Sequence, residues 1–347
     1  MINVMIMAGG KGTRFWPLSR KKKAKQFLSI IDEAPLINTT LDRISSITTK
    51  DQRWILGNVK QDDYLKKLTN YVHSSHILKE PSGKNTAACI GWGAFEALKK
   101  DPEAICVILS ADAWINPVDK FQDIILKAVK EVQKNDSVVT IGIKPTSAHT
   151  GYGYIETNTS DKEFIDVISF KEKPTKQKAQ EYIEDSTYFW NAGIFIWSAK
   201  KIINCLKTYL PNHYNVIKEF TDKNINSPNK IAEYYDKLES ISIDYAIMEK
   251  ISSDIKLIPA TFNWDDIGSW ASLEKHLPKD ESGNAVKGKL ISYKSSNNIV
   301  VSNKKLIALA NIDNLIIVES DDAILVLPKN DDQSIKDLYE KLDDPYR

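Results

Sequence analysis

The run Val4-Met5-Ile6-Met7-Ala8-Gly9-Gly10-Lys11-Gly12-Thr13-Arg14-Phe15-Trp16-Pro17, continued by LSRKKKAKQFL to Leu28, decides how the chain is read. Ile2 to Met7 is a short apolar run, the pattern of a buried first strand. It breaks at once into Gly9, Gly10, Lys11, Gly12 and Thr13, where the glycines let the backbone turn tightly and approach a ligand closely. Such a loop turns successive N–H groups inward, which suits phosphate. Arg14 adds a fixed cation, and Lys11, Arg20, Lys21, Lys22, Lys23 and Lys25 add more positive charge, so a polyphosphate is the expected ligand. A P-loop is excluded because G-x-x-x-x-G-K-[ST] does not occur. A dinucleotide fingerprint is disfavoured because Phe15 stands where its third glycine belongs. The remaining alternative, a purely structural turn, is weakened by Arg14 and Lys25 flanking the loop.

Composition narrows the class. With 347 residues, 42% of them hydrophobic, the chain has room for one large α/β domain and a smaller appendage. The 47 Lys and Arg against 46 Asp and Glu leave a net charge of +1, so the basic run at 20–25 is local and no nucleic-acid surface is expected. Cys89, Cys106 and Cys205 are far apart, which indicates neither a disulfide framework nor a zinc site. His73 and His76 flank a turn and are not read as a metal pair. No leader pattern precedes the first strand and no apolar run reaches membrane-span length, so a cytoplasmic protein with no membrane partner is expected.

Outward from the loop, helix and strand patterns alternate. Pro35 to Ile47 has helical spacing and Arg53 to Gly57 reads as a strand. In the turn Glu80-Pro81-Ser82-Gly83-Lys84-Asn85-Thr86, either Asn85 or Thr86 is placed to cap a helix running to Lys100. The sharper reading is a base-binding loop in which Glu80 accepts from a guanine edge. Ala104 to Leu109 reads as a central strand covered on both faces, ending at Ser110-Ala111-Asp112. Ligands of open α/β sheets lie beyond the carboxyl ends of strands, so Asp112 is placed for a metal on phosphates, although aspartate is also a common turn residue. A helix around Phe121 to Val132 and a strand from Ser137 to Ile143 follow. Gly151 and Gly153 flank Tyr152, permitting backbone contact with a flat hydroxylated ring; alone this would be a hairpin turn. From Asn284 onward, apolar clusters at Leu290, Ile299, Leu306, Leu315 and Ile324 are separated by Lys, Asn, Asp and Ser. That spacing predicts short strands joined by tight turns, closed by a helix at Gln333 to Leu342. The expected fold is α/β: a Rossmann-like, mixed, mostly parallel sheet in residues 1–283, and a small β-rich, partial β-helix domain in 284–347. Its apolar strands offer a contact for a homodimer or higher homo-oligomer.

The string GGKGTRFWPLSR…KQFL resembles the signature of sugar-nucleotide pyrophosphorylases, most closely the mannose-1-phosphate guanylyltransferase branch. The likeness extends through EPSGKNTA, SAD, PT…TGYGYI, EKP, WNAGIF, SIDYAIME and the D-x-G-S-W frame at Asp266, spanning roughly residues 2–275. Two positions depart from the usual pattern: Ala24 precedes Lys25-Gln26-Phe27-Leu28 in place of Pro, and Ala113 follows Asp112 in place of His. The resemblance implies transfer of GMP from GTP to mannose 1-phosphate, with another hexose or heptose 1-phosphate, or another nucleotide, as the alternative. It assigns Glu172, Asn191 and Gly153 to the sugar, Lys173 to its phosphate, and Asp112 and Asp266 to Mg²⁺. A glutamate accepts two vicinal hydroxyls, an asparagine donates and accepts, and a lysine neutralises a phosphate. A non-catalytic nucleotide sensor would be expected to lose Arg14, Lys25 or an aspartate, and all four residues are present. Longer members of the family carry a cupin-like isomerase domain for which this chain has no room, so no isomerase activity is expected.

Overall fold

The computed structural model describes residues 1–347 except 160, 161 and 172. Nine strands form the main sheet: β1 (Ile2–Met7), β2 (Arg53–Asn58), β3 (Ile77–Glu80), β4 (Ile105–Ser110), β6 (Val138–Ile143), β7 (Tyr154–Thr157), β8 (Ile165–Lys171), β9 (Tyr188–Ser198) and β10 (Ile255–Pro259). Two three-residue strands, β5 (Trp114–Asn116) and β11 (Asn263–Asp265), stand outside it. The order is β3-β2-β1-β4-β9-β6-β10-β8-β7. β1 is parallel to β2 and β4, and β10 to β6, whereas β9 is antiparallel to β4 and β6, and β8 to β10 and β7. Only β8 and β9 therefore run against the common direction, which gives the mixed, mostly parallel sheet read from the sequence. The carboxyl ends of β1, β3 and β4 deliver Met7, Glu80 and Ser110 to one edge, where ligands of such sheets bind.

The helix Asn85–Lys100 covers the face carrying Met5, Leu56, Cys106 and Ile108. It lies close because Gly93 has no side chain: a Cβ there would sit 2.8 Å from the Met5 sulfur. The helix Val118–Asn135, whose buried stripe of Phe121, Ile124, Ile125, Ala128, Val129 and Val132 takes no part in that cluster, packs on β4, β6 and β9. Among the described residues no helix is long and apolar enough to cross a membrane. The three cysteines are free and buried.

Four further strands, β12 (Ala285–Tyr293), β13 (Ile299–Ala310), β14 (Leu315–Glu319) and β15 (Ile324–Pro328), form a second sheet in that order. β12, β13 and β14 run parallel, the arrangement of successive coils of a β-helix, and β15 returns antiparallel. Ile299 and Leu306, read as separate clusters, lie on one strand. A register shift opposite Lys287 and Lys289 absorbs the intervening polar residues without ending β13. Buried asparagines pin its turns: Asn284 Oδ1 accepts from Asn298 N and Nδ2, and Asn298 Oδ1 accepts from Leu315 N. The closing helix is shorter than expected, Ile335–Glu340 after a 3-10 segment Lys329–Ser334.

Compactness groups the chain differently from its order. One unit is residues 1–9, 41–111 and 115–264; the other is 10–40, 112–114 and 265–347. The expected division at 283/284 is one of chain order. The compact second unit also takes in the signature loop, because Phe15, Trp16, Leu28 and Ile30 share one core with Trp270, Ile299, Val301, Ile316 and Val318.

Candidate active site

In the second unit, the loop is shaped by its own downstream residues. Gly12 has φ +63°, and a Cβ there would lie 2.8 Å from the Lys25 backbone nitrogen, so both conformation and space demand glycine. Gln26 Nε2 donates to the Gly10 carbonyl at 3.2 Å. Thr13–Phe15 form a single 3-10 turn, and Phe15 and Trp16, which disfavour a dinucleotide fingerprint, are buried as anchors. Arg14 Nη1 donates to the Gly268 carbonyl at 3.3 Å. Lys25 is buried; its ammonium lies 2.9 Å from Asp112 Oδ2, donates to the Asp266 carbonyl at 2.6 Å, and sits 5.3 Å from the Phe15 ring centroid. Residues 14, 25, 112 and 266 are thereby brought to one place.

The turn that presents Asp266 is strained. Ile267, a β-branched residue, is fully buried at φ +48°, a conformation that costs about 1–2 kcal/mol. Its N–H donates to Asp265 Oδ1 at 2.8 Å, and the buried Asp265 carboxylate also meets His276 Nε2 at 3.1 Å and the Lys275 ammonium. Asp265 thus fixes the turn that aims the Asp266 carbonyl at Lys25. Of the basic run, Arg20 pairs with Asp322 at 2.7 Å and Lys21 with Asp344, so Lys25 is the member that joins the aspartates.

The residues suit Mg²⁺ chemically. It takes one or two carboxylates and completes its shell with phosphate oxygens and water. Asp112 keeps 31% of its side chain exposed beside Lys25, and a second carboxylate at Asp266 is of the chemical type such an ion takes, although the Asp266 atom that meets Lys25 is its backbone carbonyl. Lys11 and Gly10 are exposed on the loop, as a phosphate cradle requires.

In the first unit, Gly9 stands against Glu80, whose Oε2 would lie 3.1 Å from a Cβ at Gly9. Burial pushes the Glu80 carboxyl up to about 8, the Tyr235 hydroxyl beside it opposing the rise. The folded chain therefore keeps a proton that the unfolded chain releases above its ordinary 4.5, and stability falls as pH rises between those values. Glu80→Gln is expected to flatten that slope, leaving the variant on the order of 3 kcal/mol more stable than its parent at pH 8. Thermal melts from pH 5 to 8 check this; parallel curves would remove the buried-carboxyl account. Neither Asn85 nor Thr86 caps the helix in the expected way. Asn85 is left-handed at φ 63° with its side chain accepting from Thr86 N at 2.9 Å, and Thr86 Oγ1 accepts from Ile243 N at 2.8 Å.

The described residues that the resemblance assigns to the sugar and its phosphate lie on or beside β7, β8 and β9. Tyr154 is in register with Trp190, so Gly153 and Asn191 fall side by side, and Lys173 follows the end of β8, whose Lys171 also pairs with Tyr154. The Gly153 carbonyl accepts from Asn191 N at 2.9 Å, and Lys173 is exposed at φ +47°. Glu172 lies outside the described residues. Sequence reasoning missed Gln26, Gly268 and Asp244. The first two stand inside the KQFL and D-x-G-S-W strings, and Asp244, inside SIDYAIME, accepts from Asn191 Nδ2 at 2.9 Å.

Comparisons with known proteins show the family. A family model described as nucleotidyl transferase matches residues 3–283, and one described as MannoseP isomerase/GMP-like beta-helix domain matches 288–342. The chain belongs to the nucleotidyl transferase family and, within it, to the mannose-1-phosphate guanylyltransferases. Mannose-1-phosphate guanylyltransferase 2 of Escherichia coli O157:H7 is 33% identical over 362 aligned positions, covering 98% of this chain and 73% of that protein. A Thermus thermophilus crystal structure described as mannose-1-phosphate geranyltransferase superposes with a TM-score of 0.89 at 26% identity, over 98% of both chains. A Helicobacter pylori structure described as mannose-6-phosphate isomerase superposes at 0.62 with 26% identity, over 76% of this chain and 99% of that one.

Proposed function

We propose that the chain transfers the guanylyl group of GTP to mannose 1-phosphate, forming GDP-mannose and releasing pyrophosphate. The observation that carries the reading is Lys25, which joins the Asp112 carboxylate to the backbone carbonyl of Asp266 beside the glycine loop, in a chain whose relatives are named for this reaction. The sugar phosphate attacks the α-phosphorus in line. As it is already an anion it needs no general base, and the work left is positioning and charge neutralisation. The loop amides of Gly9 to Thr13 cradle the triphosphate, and Arg14 holds charge on the leaving pyrophosphate. Lys25 fixes the Asp112 carboxylate and the turn of Asp266. Those carboxylates would hold Mg²⁺, which when bound neutralises the phosphates. The resemblance assigns Asn85 and Thr86 to the base, Gly153, Glu172 and Asn191 to the sugar, and Lys173 to its phosphate; Glu80, buried and held protonated near neutral pH, would support the base loop from beneath.

Pyrophosphate release across a panel of nucleoside triphosphates and sugar 1-phosphates tests this. GTP with mannose 1-phosphate is expected to be the fastest pair; a faster pair would replace these substrates, and no release with any pair would overturn the activity. Lys173→Ala is expected to raise KM for the sugar phosphate about tenfold while that for GTP stays within about twofold, since one charge-assisted contact is removed. Equal losses in both would remove its phosphate role. The compartment we propose is the cytoplasm, in keeping with three free cysteines. The assembly we propose is a homo-oligomer, supported by exposed Ile291, Tyr293, Leu306, Ile324 and Val326 on the second sheet.

A further inference from the structure

The SIDYAIME string reads as core packing, and much of it is: Ile243, Ala246, Ile247 and Met248 are fully buried. Its polar members do something else. Lys84 Nζ donates to the Leu238 carbonyl at 2.6 Å, Ile241 N to the Lys84 carbonyl at 3.3 Å, Ala87 N to the Ile241 carbonyl at 3.2 Å, and Ile243 N to Thr86 Oγ1 at 2.8 Å. These four bonds stitch residues 238–243 along the loop that opens the helix Asn85–Lys100. The next residue, Asp244, lies in the one-turn helix Ile243–Ala246 capped by Ser242, and its Oδ1 accepts from Asn191 Nδ2 at 2.9 Å.

The consequence for Asn191 follows from counting donors and acceptors. A carboxamide has two N–H groups and two oxygen lone pairs. Here one N–H goes to Asp244, and Oδ1 accepts from Gly193 N at 2.9 Å. Rotating the amide by half a turn would set its oxygen against the Asp244 carboxylate and its NH₂ against the Gly193 N–H, losing both bonds. Asp244 therefore admits a single orientation, with one N–H and one lone pair left over. That pair matches two neighbouring hydroxyls of a hexose, one accepting and one donating.

We propose that Asp244 is a positioning residue for the sugar: it sets the orientation in which Asn191 meets the hexose hydroxyls, and its own place is held by the bonds of residues 241–243 to the loop at 84–87. This rests on the reading that Asn191 faces the sugar, and the experiment separates the two. Steady-state kinetics are measured for Asn191→Ala, Asp244→Ala, the double variant and Asp244→Asn, with thermal melts alongside. Asn191→Ala is expected to raise KM for the sugar 1-phosphate about tenfold with KM for the nucleotide within about twofold. Asp244→Ala is expected to do the same, and the double variant to be no worse than Asn191→Ala alone, because both changes remove one interaction. Asp244→Asn still offers an oxygen to Asn191 Nδ2, so its sugar KM is expected within about threefold of the parent, and it decides the matter should Asp244→Ala fail to fold. A silent Asn191→Ala would remove the sugar reading beneath the proposal. A strong Asn191→Ala effect beside a silent or additive Asp244→Ala would overturn the proposal itself. So would an Asp244→Ala loss shared equally by the nucleotide, or an Asp244→Asn as impaired as Asp244→Ala.

Discussion

Asp112→Asn is expected to lower kcat by about three orders of magnitude or more, with far-UV circular dichroism unchanged, and Asp266→Asn to do likewise. The amide is nearly isosteric but carries no charge, so the proposed Mg²⁺ would lose a ligand at either position, and at Asp112 the Lys25 ammonium also loses its counter-ion 2.9 Å away. Stability changes less. The Lys25 ammonium keeps the Asp266 carbonyl at 2.6 Å, and Asp112 is partly solvated, so the cost stays near ~1 kcal/mol and not the larger penalty of a fully buried broken pair. Rapid-quench turnover measured across a Mg²⁺ titration separates the two effects. Activity within about tenfold of the parent at saturating Mg²⁺ would remove the carboxylate from the site.

Gly12→Ala has the second largest expected effect, and for a different reason. At φ +63° an alanine costs about 1 kcal/mol or more in backbone strain. The larger penalty is steric, because the new methyl must occupy space held by the Lys25 backbone and Cβ. Neither neighbour is the far end of a flexible side chain, so the loop itself has to move. The shift would carry Lys25 away from Asp112 and raise KM for the nucleotide by about two orders of magnitude. Nucleotide titration by isothermal calorimetry checks this. Binding within about threefold of the parent would show that the loop tolerates displacement and does not cradle the phosphates.

Much of this was legible in the chain, and particular residues show why. Ile2 to Met7 is read and found as a strand with identical bounds, because five of its six residues are apolar, as in a strand buried on both faces, and the Gly9-Gly10 turn after it is too close for a helix to fit. The stripe from Phe121 to Val132 is equally plain, since one helical face repeats every three to four residues. Thr86 was harder. Its side chain competes between a local cap and a distant amide, and Ile243 N, far along the chain, wins. Asp244 was invisible as chemistry for the same reason: its partner lies 53 residues earlier, and local pattern carries no information about it. Ile299 and Leu306 misled because polar residues between apolar clusters look the same whether the strand ends or merely bulges.

Phe15, Trp16 and Leu28 lean on Ile299, Val301, Ile316 and Val318 in one shared interior. The C-terminal coils are therefore the floor on which the glycine loop stands, and a protein trimmed at the boundary between the two family models would keep the loop's sequence while losing the bed that shapes it. The apolar sides of the loop and of the coils are buried against each other in that one cluster, so changes to the coils reach the loop through packing.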